Sequence, residues 1–258
     1  MNTSTAPVAA PAPSLLRIQA LESWYELLRV LRTPAFAIPS LAFPVVFYAL
    51  FALVLPGQWS GFEKSTYLLA TYGVFGVIGP ALFGFGVGLA IEREKGWLEL
   101  KRVSPMPTFV YFIAKISMSL VFAFAVVCLL TVVAVGFGDV RMAPLVWLQL
   151  VATLLLGTLP FCALGLWIGT LVKGQAAVAV VNLVYLPMAV LSGLWMPLFA
   201  FPVLLQKLAI VWPSWHLAQM ALGVVGQVQG VQYGHHALVL LATTVVFLSL
   251  AAMRLRKA

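Results

Sequence analysis

The stretch TYLLATYGVFGVIGPALFGFGVGLAIEREKGWLELKRVSP, residues 66–105, contains the boundary between the chain's two solvents. Residues 66–91 carry no charged side chain, and a helix of that length exceeds the ~30 Å of a bilayer's hydrocarbon core. Directly after it come Glu92, Arg93, Glu94, Lys95, Glu99, Lys101 and Arg102, a group that includes three of the chain's seven acidic residues. A membrane helix therefore gives way here to a polar, water-facing loop.

The rest of the chain agrees with this division. Of 258 residues, 63% are hydrophobic and 9% charged, where an average soluble domain has about 25% charged residues. With a mean hydropathy of +1.06, too little polar surface remains for a water-facing shell, so the class is all-α integral membrane. Apolar runs at about 35–55, 66–91, 109–135, 145–172, 176–199 and 236–253 predict six transmembrane helices. Such a frame leaves no room for an extramembrane catalytic domain.

The net charge of +8 is read through topology rather than as a sign of nucleic acid. With the N-terminus in the cytoplasm, twelve basic residues fall inside or at the inner boundary, and only Lys64, Arg141 and Lys207 fall outside. Both termini are therefore expected in the cytoplasm. Residues 1–13 lack a Lys or Arg and a sustained apolar core, so they predict a retained, disordered Ala/Pro leader and not a signal peptide. Residues 14–33 alternate apolar and charged faces from Ser14 onward, which predicts an amphipathic interfacial helix ahead of a single transmembrane domain over 34–258.

Residues 200–234 are too apolar for an ordinary outer loop, yet Pro202, Pro213, Gly223, Gly226 and Gly230 interrupt them. They predict a re-entrant outer segment between the last two spans. Cys128 and Cys162 each sit in apolar sequence and predict buried free thiols. His216, His235 and His236 are expected as interfacial histidines, since adjacent helix residues point about 100° apart and form a poor metal pair.

Several chemistries lack their residues. No ionisable side chain lies mid-span, with Lys115 one or two turns from an inner end where it is expected to snorkel, so ion coupling is disfavoured. The spans hold no HExxH, no Asp pair and no Ser-His pairing, and the chain has no GxxxxGK[ST] loop, so neither intramembrane catalysis nor ATP hydrolysis by this chain is expected. Catalytic, metal-binding and cofactor-binding residues are accordingly predicted to be absent. The glycine pairs within 84–88 and 165–169 serve close helix packing, either inside the chain or across a dimer.

Within 91–105, Trp97, Leu98 and Leu100 interrupt the charges at helical spacing, as a helix docking on a protein partner requires. At this point the chain resembles the permease subunits of type-2 ATP-binding-cassette (ABC) exporters. Their first cytoplasmic loop is matched by Glu92-Arg93-Glu94-Lys95-Gly96, then Leu98, Leu100 and Ser104-Pro105. Their fifth span and outlet are matched by Ser192-Gly193, Pro197, Pro202 and Pro213. The resemblance covers residues 14–258.

The resemblance implies a multi-pass permease of a bacterial inner membrane, paired with a second copy of itself or a related permease. Two separate ATPase subunits would bind ATP and Mg, and membrane lipid would surround the permease. It assigns a coupling helix between spans 2 and 3 to Glu92, Arg93, Glu94, Gly96, Trp97, Leu98, Ser104 and Pro105. It assigns the outer gate to Ser192, Gly193, Pro197, Pro202 and Pro213, and a pathway between protomers to Phe43, Phe47, Tyr48, Tyr72, Asn182, Tyr185 and Met188. That aromatic, apolar lining suits export of an amphiphilic drug, antibiotic or lipid. Two other classes stay open, an ion-coupled carrier or channel and a membrane scaffold that only recruits a cytoplasmic partner.

Overall fold

Ser14 adopts an extended backbone and accepts a hydrogen bond from the Arg17 amide, which caps helix α1 (Leu15–Leu31). The computed structural model describes residues 14–55, 63–103 and 106–257, without the side chains of Arg102, Arg256 and Lys257. The leader over 1–13 and the loop residues Ser104 and Pro105 lie outside the described residues.

Every regular element described is helical. Pro34 opens α2 (Pro34–Tyr48), at a position where its missing N–H costs nothing, and the helix runs on as a π-helical stretch over Ala49–Val54. Then come α3 (Lys64–Glu94), the short α4 (Trp97–Val103), α5 (Thr108–Phe137), α6 (Pro144–Leu156), α7 (Leu159–Leu171) and α8 (Ala176–Leu191). Two short helices, α9 (Val203–Leu208) and α10 (Pro213–Val224), lead to α11 (Tyr233–Lys257).

Five segments are long and apolar enough to cross a bilayer: Pro34–Val54, Lys64–Glu94, Thr108–Phe137, Pro144–Leu171 and Tyr233–Leu255. The chain is a multi-pass membrane protein. The apolar α8 has 16 residues, and at about 1.5 Å each it reaches only ~24 Å. It ends where Gly193, at φ 74°, takes a left-handed conformation that other residues adopt at a cost. Gly193 N–H then donates to Val190 O and Leu194 N–H to Ala189 O, which satisfies the last carbonyls.

The central helix is α3, buried along most of its length and packed chiefly on α7 and α5. Glycines make the α3–α7 approach possible. A Cβ at Gly165 would fall 2.9 Å from Leu82 O, and one at Gly169 would fall 2.7 Å from Gly86 O. Gly165 and Gly169 thus pack on α3 around Gly86, whereas Gly84 faces Met118 on α5 and Gly88 faces Lys115, so both glycine pairs serve contacts inside the chain.

Two further differences concern single positions. The fourth apolar run divides at Gly157-Thr158, where Thr158 Oγ1 donates back to Leu154 O and Pro160 follows without an N–H. Cys162 is buried as expected, but Cys128 lies on an exposed face of α5. Hydropathy reports the solvent of a run and not which of its faces meets lipid.

Candidate functional site

Gly96, at φ 72°, makes the turn between α3 and α4, and its N–H donates to Arg93 O. The turn sends α4 off the end of the central helix with Trp97, Leu100 and Val103 exposed. Lys95 Nζ lies 4.8 Å from the centre of the Trp97 ring. Leu98 turns inward and packs on the main core. An apolar face of such a short helix, left open beside charged residues, suits contact with another protein.

The family-assigned loop residues have different surroundings. Arg93 donates to Gly169 O at 3.0 Å and ties the end of α3 to α7. Glu94 is exposed, with its carboxylate against Gly174 in the turn before α8. Glu92 faces inward instead, with 1% of its side chain exposed. It therefore presents no carboxylate to a docking partner.

Around Glu92 lies an ion cluster built from three helices. Lys115 Nζ on α5 lies 3.0 Å from Glu92 Oε1 and 2.8 Å from Glu26 Oε1 on α1. Tyr111 donates its hydroxyl to Glu92 Oε2 at 2.6 Å. Arg29 on α1 pairs with both Glu26 and Glu92. Burial disfavours the charged Arg29 guanidinium, but the neighbouring Glu92 and Glu26 carboxylates outweigh it and hold the group above its ordinary value. Two acids and two bases cancel, so the cluster is neutral as a whole.

Lys115 was expected to snorkel toward water, but it is fully buried. The reason is α1, which packs across the start of α5 and brings Glu26 to the ammonium. A second tie joins α1 to α4 through Glu22 and Lys101.

At the opposite end of the bundle the rings of α2, α3 and α8 converge. Phe47 stacks on Trp195 with centroids 5.7 Å apart, Phe51 on Tyr72 at 6.3 Å, and Phe75 on Tyr185 at 5.1 Å. Tyr72 donates to Trp195 O and Tyr185 to Phe75 O, so the buried hydroxyls are satisfied. Trp195 Nε1 is buried without an acceptor among the described residues.

Of the residues assigned to the pathway, Phe47, Tyr72 and Tyr185 thus share one aromatic cluster. Tyr48 and Met188 are fully buried, Phe43 is exposed, and half-buried Asn182 donates to Val178 O of its own helix. Sequence reasoning missed Phe51, Phe75 and Trp195. Residues 47 and 51 are one helical turn apart, as are 72 and 75, and that spacing was the available signal.

At the residues assigned to the outer gate, Ser192 and Ser214 share a buried hydroxyl–hydroxyl hydrogen bond that joins the end of α8 to the first turn of α10. Gly193 forms the cap described above, while Pro197, Pro202 and Pro213 each stand at the start of a short helical element. Nearby, His216 and His236 are buried against each other, and His235 stays exposed. Among the described residues no group of three or more His, Cys, Asp or Glu side chains is arranged to hold a metal ion.

Two similarities to known proteins bear on this arrangement. The model of the family described as "ABC-2 type transporter" matches residues 20–225. The protein named "Putative transport permease YvfS" from Bacillus subtilis (strain 168) is 30% identical over 241 residues, which span 92% of this chain and 96% of that one. The chain belongs to the ABC-2 type transporter family, as a membrane transport permease.

Proposed function

We propose that this chain is the permease subunit of an ATP-driven ABC exporter, with ATP bound and hydrolysed by two separate ATPase subunits that carry the Mg. The observation that carries this reading is the exposed face of α4, Trp97, Leu100 and Val103, mounted on a Gly96 turn at the end of α3. Seated in a groove of an ATPase, α4 would pass nucleotide-driven motion to α3 through the turn and to α1 through Lys101 and Glu22. Glu94, Arg93, Gly96, Trp97 and Leu98 serve that joint, together with Ser104 and Pro105. Glu92 anchors it from within.

In this reading α8 is the fifth of six crossings, with its shortfall in length made up by the Ser192–Leu194 turn and local thinning of the bilayer. Both termini and α4 lie in the cytoplasm, following the twelve-to-three distribution of basic residues. Residues 198–224 form a re-entrant outer element that controls release. A second copy, or a related permease, completes a pathway along α2 and α8. The exposed Phe43 and the half-buried Phe47 and Asn182 would line it.

The aromatic cluster and the open Trp195 Nε1 donor favour an amphiphile that carries a hydrogen-bond acceptor, such as a drug, antibiotic or lipid. An ion-coupled carrier fits less well, because Lys115, Arg29 and Tyr111 already occupy the buried Glu92 carboxylate. The test is co-purification with a P-loop ATPase, followed by measurement of permease-dependent ATP hydrolysis. An ATPase that neither binds the permease nor changes its turnover with it present defeats this reading in favour of a carrier or scaffold.

A further inference from the structure

His216 on α10 and His236 in the first turn of α11 are 2% and 7% exposed, with their Nδ1 atoms 2.9 Å apart. Their tautomers follow from one further contact. His216 Nε2 lies 2.9 Å from Ile210 O, and since a carbonyl only accepts, Nε2 carries the hydrogen. In the neutral ring Nδ1 is then the acceptor, so His236 Nδ1 must donate to it. The remaining basic nitrogen of the pair is His236 Nε2.

That asymmetry limits how many protons the joint can take up. A first added proton at His236 Nε2 leaves the Nδ1–H···Nδ1 bond intact. A second can enter only at His216 Nδ1, where it turns the acceptor into a donor facing a donor, between two cationic rings with centroids 5.1 Å apart.

Among the described residues no carboxylate forms an ion pair with either ring. Titratable groups on the packed elements here are Lys64 and Tyr67 on α3, Tyr233 and His235 on α11, and Lys207 on α9, with Glu63 just before α3. The α6 helix and the Ala209–Val211 turn bring none, and α7, which packs along α11, brings only Cys162. Lys64 donates to Leu55 O, and Glu63 contacts the following segment through its backbone amide, to Gln227 Oε1. Burial pushes His216 below its ordinary value, the Ile210 carbonyl works against that, and His235 adds to the lowering. The folded state therefore binds fewer protons than the unfolded chain, and this stabilisation is present above about pH 6.5 and lost as pH falls below it.

We propose that His216 and His236 form a proton-sensitive latch, which fastens α10 to α11 while the pair holds at most one added proton and releases α10 when it takes up the second. His236 lines a pocket of about 290 Å³ together with Trp215, Gln219, Gln229 and Gln232, which gives solvent protons a polar approach. In the topology proposed above, the latch senses acid on the outer side and loosens the release element. This last point rests on that topology, whereas the latch itself does not.

The test uses the full-length protein in lipid nanodiscs, titrated from pH 8 to pH 5 without ATPase or substrate. Trp215 meets both rings edge-on, at 5.0 and 5.4 Å, so protonated imidazoles should quench it. The expected result is a fall in the Trp215 signal, taken as the difference from Trp215→Phe, of at least twofold below pH 6.5. The unfolding temperature should drop by several degrees over the same range. His236→Asn keeps a donor near the Nδ1 position and cannot titrate, and it should abolish most of both changes. A flat Trp215 titration in the otherwise unaltered protein overturns the latch, as does a temperature drop that persists undiminished in folded His216→Gln/His236→Asn protein. Failure of the ATPase assay alone would count against the proposed transport function and not against the latch.

Discussion

Lys115 on α5 and Glu92 on α3 form an ion pair at 3.0 Å with only 1% of either side chain exposed, and Glu26 of α1 closes on the same ammonium at 2.8 Å. The amphipathic helix is thereby joined to two membrane helices at one point. A buried pair of this kind contributes little over a well-packed apolar pair, but breaking it from one side leaves an uncompensated charge.

Lys115→Met is therefore expected to cost about 3–5 kcal/mol and to lower the amount of folded protein in the membrane. The double variant Glu92→Gln/Lys115→Met leaves Glu26 and Arg29 balanced and should recover much of that loss. Thermal unfolding of both variants in detergent checks the order. A double variant less stable than the single one contradicts a charge-balanced cluster.

On α4 the expectation is reversed, because the side chains concerned are on the surface. Trp97→Ala and Leu100→Ala should change stability by no more than about 0.5 kcal/mol. If α4 is the docking element, ATPase association should fall at least tenfold, measured by co-purification at matched permease abundance. Glu94→Lys, at an exposed position, should behave in the same way. Loss of membrane abundance with normal ATPase association in the surviving protein would assign these residues to folding instead.

These two predictions differ in how far the sequence reveals their basis. The α3–α4 boundary is legible because it depends on neighbours in the chain: charge begins at Glu92, and Gly96 supplies the break. The ion cluster depends on partners 23, 63 and 89 positions apart, and no local pattern joins them. Taken alone, Lys115 looks like a residue that snorkels and Glu92 like one more loop charge. The histidine pair is hidden for the same reason, since adjacency draws attention to His235 and His236 while the true partner is His216 on another helix.

Close helix packing offers a separate test. At Gly169 a Cβ would lie 2.7 Å from the backbone oxygen of Gly86, and backbone cannot move aside as a flexible side chain can. Gly169→Val should therefore force α3 and α7 apart and cost about 1–3 kcal/mol, as overpacking does. Gly136 has nothing within 4 Å of a built Cβ, so Gly136→Ala should be neutral or slightly stabilising. Equal unfolding temperatures for the two variants would mean that the α3–α7 contact has enough slack to absorb a side chain.

Topology is tested at the outer segment, where Pro213 and the short α9 and α10 leave no single element long enough to cross a bilayer. A re-entrant path keeps Gln206 and Gln229 on one side of the membrane, whereas a crossing built from residues 204–225 separates them. The experiment starts from Cys128→Ser/Cys162→Ser protein, so that each introduced cysteine is the chain's single thiol. Single cysteines at Gln206 and Gln229 are then treated with an impermeant thiol reagent on sealed cells. Both are expected to react from the outer side, and a cysteine at Leu100 only after the membrane is opened. If Gln229 reacts only from the cytoplasm, the segment is a crossing. The C-terminal Arg254, Arg256 and Lys257 then lie outside, and the charge argument for orientation fails with it.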